Sequence, residues 1–250
     1  VKTLRGKETT FLSTEASIRC LKIHNIHFLA ENFERYKFYT KLYNIYYSVA
    51  DLTDFPMCSF DAFQKKEQQL YLIEHFPDYV RGYSFKLDID GHADFDRAKQ
   101  ETAEIKEIFD EFQVPYSLKM SGSGFHFEVD SLYTDLVEPS MVEKPKTFLY
   151  IARTLKNIMR LECLDAEVYD LRRIWKVPYS FDYKTGRIAL PLTDEQFLNY
   201  SHEITVPENI GSVENRGLLT RFTEQGDDQL RKNFKRFVDT VVHGIETEVA

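Results

Sequence analysis

The sequence predicts an α+β fold, and three observations predict it. Residues 83–90 (YSFKLDID) alternate strictly. Phe85, Leu87 and Ile89 face one way and Lys86, Asp88 and Asp90 the other, the period-two mark of a strand with one buried face. Residues 94–112 then follow a helical period, with Phe95, Ala98, Ile105, Ile108, Phe109 and Phe112 near one side. Beyond them, short strands and helices interleave without a regular repeat. That places the chain among α+β or α/β folds with an antiparallel component.

The elements before the first strand are less regular. Residues 30–50 have a helical pattern with a tyrosine-rich apolar end, and residues 61–74 (DAFQKKEQQLYLIE) read as another helix. Gly91 ends the strand at 83–90. Residues 116–129 read as a strand, a tight SGSG turn and a second strand, in which Phe125, Phe127 and Val129 oppose His126 and Glu128. Residues 145–161 form a helix with Phe148, Ala152, Leu155 and Met159 toward the core. Arg153, Lys156 and Arg160 make a basic stripe on it. Short strands are expected at 165–169, 174–179 and 187–190, with a turn at Lys184–Arg187. The tail 229–242 closes the chain as an amphipathic helix through Leu230, Phe234, Phe237, Val238 and Val241.

A length of 250 residues fits one large domain, or a catalytic domain with a small annex. We expect one domain over 1–250, and the start at Val1 suggests a piece excised from a longer protein. No apolar run is long enough to span a bilayer, and no secretory signal is visible. A cytoplasmic or nucleoid-associated protein is therefore expected. Three cysteines, Cys20, Cys58 and Cys163, form no CxxC pair and argue for a reducing compartment. Cys20, His24 and His27 could share a helical face as three metal ligands. Structural zinc prefers four closed ligands, so none is expected there. The net charge of -8 argues weakly against nucleic acid as a partner, but residues 151–190 carry eight basic against five acidic side chains. A locally basic strip can serve phosphate groups within an acidic protein.

Three segments carry chemistry. Asp88 and Asp90, at i and i+2 of one strand, project from one face. Two such carboxylates repel each other unless a cation sits between them, and magnesium or manganese favours these hard oxygen donors. Ser121-Gly-Ser-Gly-Phe-His126 offers small residues whose backbone amides can approach a phosphate, then a histidine on the polar side of the next strand. A plain hairpin turn would look the same. The run from Leu164 to Ile188 supplies a third strand-borne acid, Asp165, followed by cations suited to triphosphate oxygens at Arg173, Lys176 and Lys184. Three carboxylates are what a two-metal nucleotidyl-transfer site needs.

In this order and at these separations, the three segments resemble the motifs of the archaeo-eukaryotic primase superfamily. Leu87-Asp-Ile-Asp90 with Asp94-Phe-Asp96 is similar to the first motif, SGSGFH to the second, and LDAEVYDLRRIWKVPYS…KTGR to the third and the segment after it. The last is the most specific. The resemblance covers about residues 83–192, and Tyr46-Tyr-Ser48 fits only loosely. It implies the family's fold: a mixed sheet with an RRM-like catalytic half and a second α/β unit. It also implies a template-directed primase-polymerase. Asp88, Asp90 and Asp165 would bind two divalent ions, magnesium or manganese. Ser121, Ser123 and His126 would hold the triphosphate, and Arg173, Lys176, Ser180 and Lys184 would complete its cradle. Arg153, Lys156, Arg160 and Arg187 would follow a single-stranded template and primer.

Two departures stand out. Asp182 occupies a position where many members carry histidine, and Gly124 one where many carry serine. A zinc-binding cysteine cluster is also absent. This favours a compact enzyme of a mobile element, virus or defence system, CRISPR-associated ones included, with replication or helicase components fused or associated. Rival readings are a primer-dependent extension polymerase, a nuclease or phosphatase built on the same acids, and an inactive nucleic-acid-binding module.

Overall fold

The computed structural model describes residues 8–12, 17–22, 44–53, 70, 74–182, 184–209 and 220–248. Its centre is a five-stranded sheet. β6 (Phe85–Ile89), β7 (Tyr116–Met120), β8 (Phe125–Val129), β9 (Leu164–Asp165) and β13 (Leu190–Pro191) lie in the order β13-β7-β8-β6-β9. A helix α1 (Phe95–Glu111) links β6 to β7, and a helix α2 (Lys144–Met159) lies between β8 and β9. The chain thus runs β-α-β-β-α-β with strand order β9-β6-β8-β7, the split β-α-β arrangement. A mixed sheet was the expectation. Every strand pairing among the described residues is antiparallel, because β8 inserts between β6 and β7 and removes the one parallel contact the crossover would have made.

Local sequence explains the helix ends. Asp94 caps α1 by accepting from the Arg97 amide at 2.9 Å. Pro145 sits in the first turn of α2, where its missing N–H costs nothing, and Arg160 ends that helix in the left-handed conformation at φ 56°. A short helix α3 (Asp194–Leu198) carries a capping box of Thr193 and Gln196. The tail helix α4 (Asp227–Glu248) buries Leu230, Phe234, Phe237, Val238 and Val241, as its periodicity predicts.

The apolar face of the sheet, with Phe85, Leu87, Ile89, Phe125, Phe127, Leu118 and Met120, packs under these helices. Phe148 of α2 meets Phe85 edge-on, Phe109 of α1 meets Phe127, and Phe234 of α4 meets Phe85. None of the helices described is long and apolar enough to cross a membrane.

The opposite face holds the surprise. β6 is not half-exposed: Lys86 is 1% exposed and Glu128 beside it 4%. A second sheet covers them. It comprises β1 (Glu8–Leu12), β2 (Ser17–Lys22), β3 (Asn44–Ser48) and β10 (Ile174–Lys176) in the order β10-β3-β1-β2. Lys86 Nζ pairs with Glu128 at 2.7 Å, and the Tyr47 hydroxyl of β3 also donates to Glu128. Buried charge is tolerable only when paired and hydrogen-bonded, and this trio meets that condition.

The tyrosine-rich end of the expected 30–50 helix is therefore strand at 44–48; the rest of that helix lies outside the described residues. Aromatic side chains paired on both edges favour strand over helix there. The expected 61–74 helix also lies outside them, apart from residues 70 and 74. Cys20 lies in β2 rather than on a helix, while His24 and His27 fall outside the described residues. The strand expected at 165–169 is only Leu164–Asp165, and that expected at 174–179 only Ile174–Lys176. The intended 187–190 strand is split into β12 (Arg187–Ile188), which pairs with β11 (Phe181–Asp182), and β13. A further hairpin joins β4 (Ala50–Leu52) to β5 (Val80–Tyr83).

Candidate active site

Strand register assembles the site. Asp88 pairs with Asp165 on one side and with His126 on the other, and His126 pairs with Lys119. One row of the polar face thus runs Asp165, Asp88, His126, Lys119 across four strands. Asp90 follows at the mouth, two residues along β6. Its amide is held by the Cys163 carbonyl at 2.9 Å, which ties the end of β6 to the segment entering β9.

The row opens into a cleft of about 260 Å³ between the two sheets. Asp88, Asp90, Ser121, Ser123, His126, Arg173, Lys176 and Lys184 all line it, as do Tyr46, Trp175 and Asp182. Eight of the residues singled out by sequence therefore meet in one place. Asp165 is exposed beside Asp88 rather than in the lining, and Ser180, also outside the lining, is buried with its hydroxyl unpartnered. Arg187 donates to the Gly122 carbonyl at 3.1 Å. The basic stripe of α2 is divided. Arg153 makes a two-pronged pair with Glu167, Lys156 turns inward to the Leu164 carbonyl at 2.5 Å, and Arg160 is the exposed helix cap.

His126 is strongly perturbed by its surroundings. Its Nε2 lies 3.2 Å from Asp88 Oδ1, its ring packs against Trp175 at 4.0 Å between centroids and a 35° tilt, and its Nδ1 is buried without a protein partner. Burial pushes the imidazole pKa down to about 4, against the pull of the Asp88 carboxylate, so the ring is neutral at pH 7. A neutral ring that donates Nε2–H to Asp88 keeps only a lone pair at Nδ1. In this arrangement His126 orients Asp88 and has no second donor for a phosphate oxygen. For Asp88, burial alone would raise the pKa, but His126, Arg173 and Lys119 outweigh it and hold the carboxyl below its usual value.

The glycine loop is shaped by its neighbours. The Ser121 amide and hydroxyl both donate to the Gly124 carbonyl, at 2.8 and 3.0 Å. A Cβ on Gly124 would lie 2.0 Å from the Ile89 carbonyl oxygen, so no serine fits there. A Cβ on Gly122, at φ +123°, would lie 2.3 Å from Asp182 Oδ2. The loop carbonyls of Ser121 and Gly122 are taken by Lys176 and Arg187. The amides of Gly122 and Ser123 donate to no protein group among the described residues, which leaves them for an anion.

The donor chemistry fits hard divalent cations. Asp88 and Asp165 are register partners and Asp90 is adjacent. Each has one oxygen engaged by protein, through His126, the Glu167 amide and the His92 amide respectively, and one oxygen open. Among the described residues, however, no three His, Cys, Asp or Glu side chains converge on a common point.

Three features of the site have no periodic signal in the sequence. Trp175 reaches His126 only because β10 pairs with β3, Tyr46 enters from the second sheet, and Asp182 turns into the cleft to pair with Lys176 at 2.6 Å.

No family model matches the chain, and neither does any curated protein. Among solved structures it is similar to the AEP domain (PP-N190) of the primase-polymerase (PrimPol) of cyanophage S-2L. Identity is 14% and the TM-score 0.41, over 79% of this chain and 90% of that one.

Proposed function

We propose that the chain is the catalytic domain of a template-directed nucleotidyl transferase of the archaeo-eukaryotic primase type, acting in primer synthesis and extension. The observation that carries this reading is the row Asp165–Asp88–His126 opening onto the glycine loop and onto Arg173, Lys176 and Lys184 in one cleft. Carboxylates suited to metal ions beside cations suited to phosphate match the reacting phosphate and the leaving pyrophosphate of a nucleoside triphosphate undergoing in-line displacement.

On this reading the amides of Gly122 and Ser123, with Ser121 and Ser123, cradle the polyphosphate, and Arg173, Lys176 and Lys184 offset its charge. Asp88, Asp90 and Asp165 would hold two magnesium or manganese ions, which supply Lewis acidity to the attacking hydroxyl and the leaving pyrophosphate. His126 keeps Asp88 ionised and aimed through its Nε2 contact. Tyr46 and Trp175 line the wall opposite, where a base or sugar would rest. Arg187, Arg153 and Arg160 lie outside the lining, where a template and primer backbone would run, held by sequence-independent phosphate contacts.

One observation favours a second reading, a nucleotide-binding module without synthesis: no three acidic side chains converge on one point among the described residues. Pyrophosphate release from nucleoside triphosphates on a single-stranded template, with magnesium or manganese, distinguishes the readings. A transferase releases pyrophosphate, a phosphatase releases orthophosphate, a nuclease degrades the template, and a binding module does none of these.

A further inference from the structure

The cleft carries an acid where its proposed ligand is most negative. Asp182 is 5% exposed, and its Oδ2 lies 2.6 Å from Lys176 Nζ, itself in the cleft lining. Lys176 Nζ also donates to the Ser121 carbonyl at 2.9 Å, and Asp182 Oδ1 accepts from the Lys184 amide at 2.9 Å. The carboxylate fills the space that the absent side chain of Gly122 leaves, against the same loop whose Ser121, Ser123 and Gly124 line the cleft. One carboxylate therefore bridges three parts of the proposed phosphate grip: Lys176, the turn after β11 and the glycine loop. Of the three formal cations in the lining, Arg173, Lys176 and Lys184, Lys176 is already paired with a carboxylate, Asp182. A cation neutralised in this way attracts an anion weakly.

We propose that Asp182 is a specificity-determining residue that stands in for a phosphate group on Lys176, so that an incoming polyphosphate must displace this carboxylate to engage the lysine. The inference rests on the reading of the cleft as a polyphosphate site. A carboxylate accepting a charge-assisted hydrogen bond from an ammonium occupies the position a phosphate oxygen would take. Ligands with a single phosphate gain too little to displace it, whereas a triphosphate brings several oxygens and more charge. Asp182 thereby sets a threshold that favours polyphosphates over monophosphates.

The test is binding of inorganic tripolyphosphate and of orthophosphate to the full chain with magnesium present, measured by calorimetry. Asp182→Asn should bind tripolyphosphate about tenfold to a hundredfold more tightly than the unaltered protein, the scale of one freed charge-assisted hydrogen bond. Its preference for tripolyphosphate over orthophosphate should fall. A merely structural acid would lower affinity on removal, not raise it. Asp182→Ser, which keeps an acceptor for the Lys184 amide, is the second variant should the first fold poorly. In a Lys176→Met background the gain should vanish. If the unaltered protein binds tripolyphosphate and neither Asp182 variant binds it more tightly, the inference alone is overturned. If neither the protein nor its variants bind tripolyphosphate, the polyphosphate reading of the cleft falls, and the inference with it.

Discussion

Asp88 and Asp165 face each other in register across β6 and β9, although 76 residues of chain separate them (165 − 88 = 77 positions). Two carboxylates on adjoining strands gain nothing from each other. Their juxtaposition is intelligible through what they could hold together, and it marks the end of the row that His126 and Lys119 complete.

Replacing either acid with its amide should separate activity from stability. Asp165 is exposed, so Asp165→Asn should change unfolding free energy by no more than about 0.5 kcal/mol. Synthesis should fall by about a hundredfold or more, since several kcal/mol of charge stabilisation would be lost. Asp88→Asn should lose as much activity and a little more stability, because it weakens the contact to His126. Steady-state synthesis beside thermal melting checks both.

The depressed pKa of His126 predicts an acid-labile fold in the metal-free protein. In the unfolded chain the imidazole takes up its proton near 6.5; in the fold it resists until about 4, because burial disfavours the cation. The unfolded state therefore binds more protons within that window, and stability falls as pH drops from about 6.5 to about 4. The full effect is about 3 kcal/mol. Asp88, held below its usual range, adds its own loss only at lower pH. Denaturant unfolding with a chelator at pH 7 and at pH 4.5 should show the drop, and His126→Gln should flatten it. Equal slopes for the two proteins would assign the acid lability to other groups.

Gly124 should not tolerate a side chain. Its would-be Cβ meets the Ile89 carbonyl at 2.0 Å and the Gly91 amide at 2.9 Å, both backbone atoms that cannot step aside. Gly124→Ala should cost about 1–3 kcal/mol of stability or more by overpacking, and should lower activity by moving the loop away from β6. Urea unfolding of the variant measures the first effect and nucleotide affinity the second.

Glu101, on α1 and fully buried, should act on the site from a distance. Its two oxygens accept from the amides of Glu162 and Cys163 at 2.7 and 2.9 Å, and it pairs with Arg97 at 2.9 Å. These bonds fix the segment that enters β9 and carries Asp165. Glu101→Ala leaves buried donors unsatisfied and should cost about 2–4 kcal/mol. Glu101→Gln, which keeps the shape and the acceptor oxygen, should recover part of the stability and part of the activity.

Local pattern made the central sheet and its first helix legible. The alternation at 83–90, the helical period at 94–112 and the SGSG turn became β6, α1 and the β7–β8 loop with bounds shifted by a few residues. Asp88 and Asp90 line the cleft for that reason: alternation fixes which face a side chain takes, whereas Arg173 and Lys184 come from outside any strand. What escaped depends on pairing between distant segments. Lys86 reads as a solvent-facing lysine until β3 lies over it and Tyr47 reaches Glu128. Residues 44–48 read as a helix end because their periodicity says nothing of β1 and β10 on either side. Trp175 on His126, and Asp182 on Lys176, likewise arise from tertiary placement that no spacing encodes.

The most direct measurement is a template assay with labelled nucleotides, magnesium or manganese, with and without a primer, run beside Asp88→Asn. The account predicts labelled chains that depend on template and metal and disappear in the variant. Products without a primer would assign chain initiation, and products only with one would assign extension. No product under any of these conditions, from a folded protein that still binds nucleotide, would contradict the account and leave a binding module in its place.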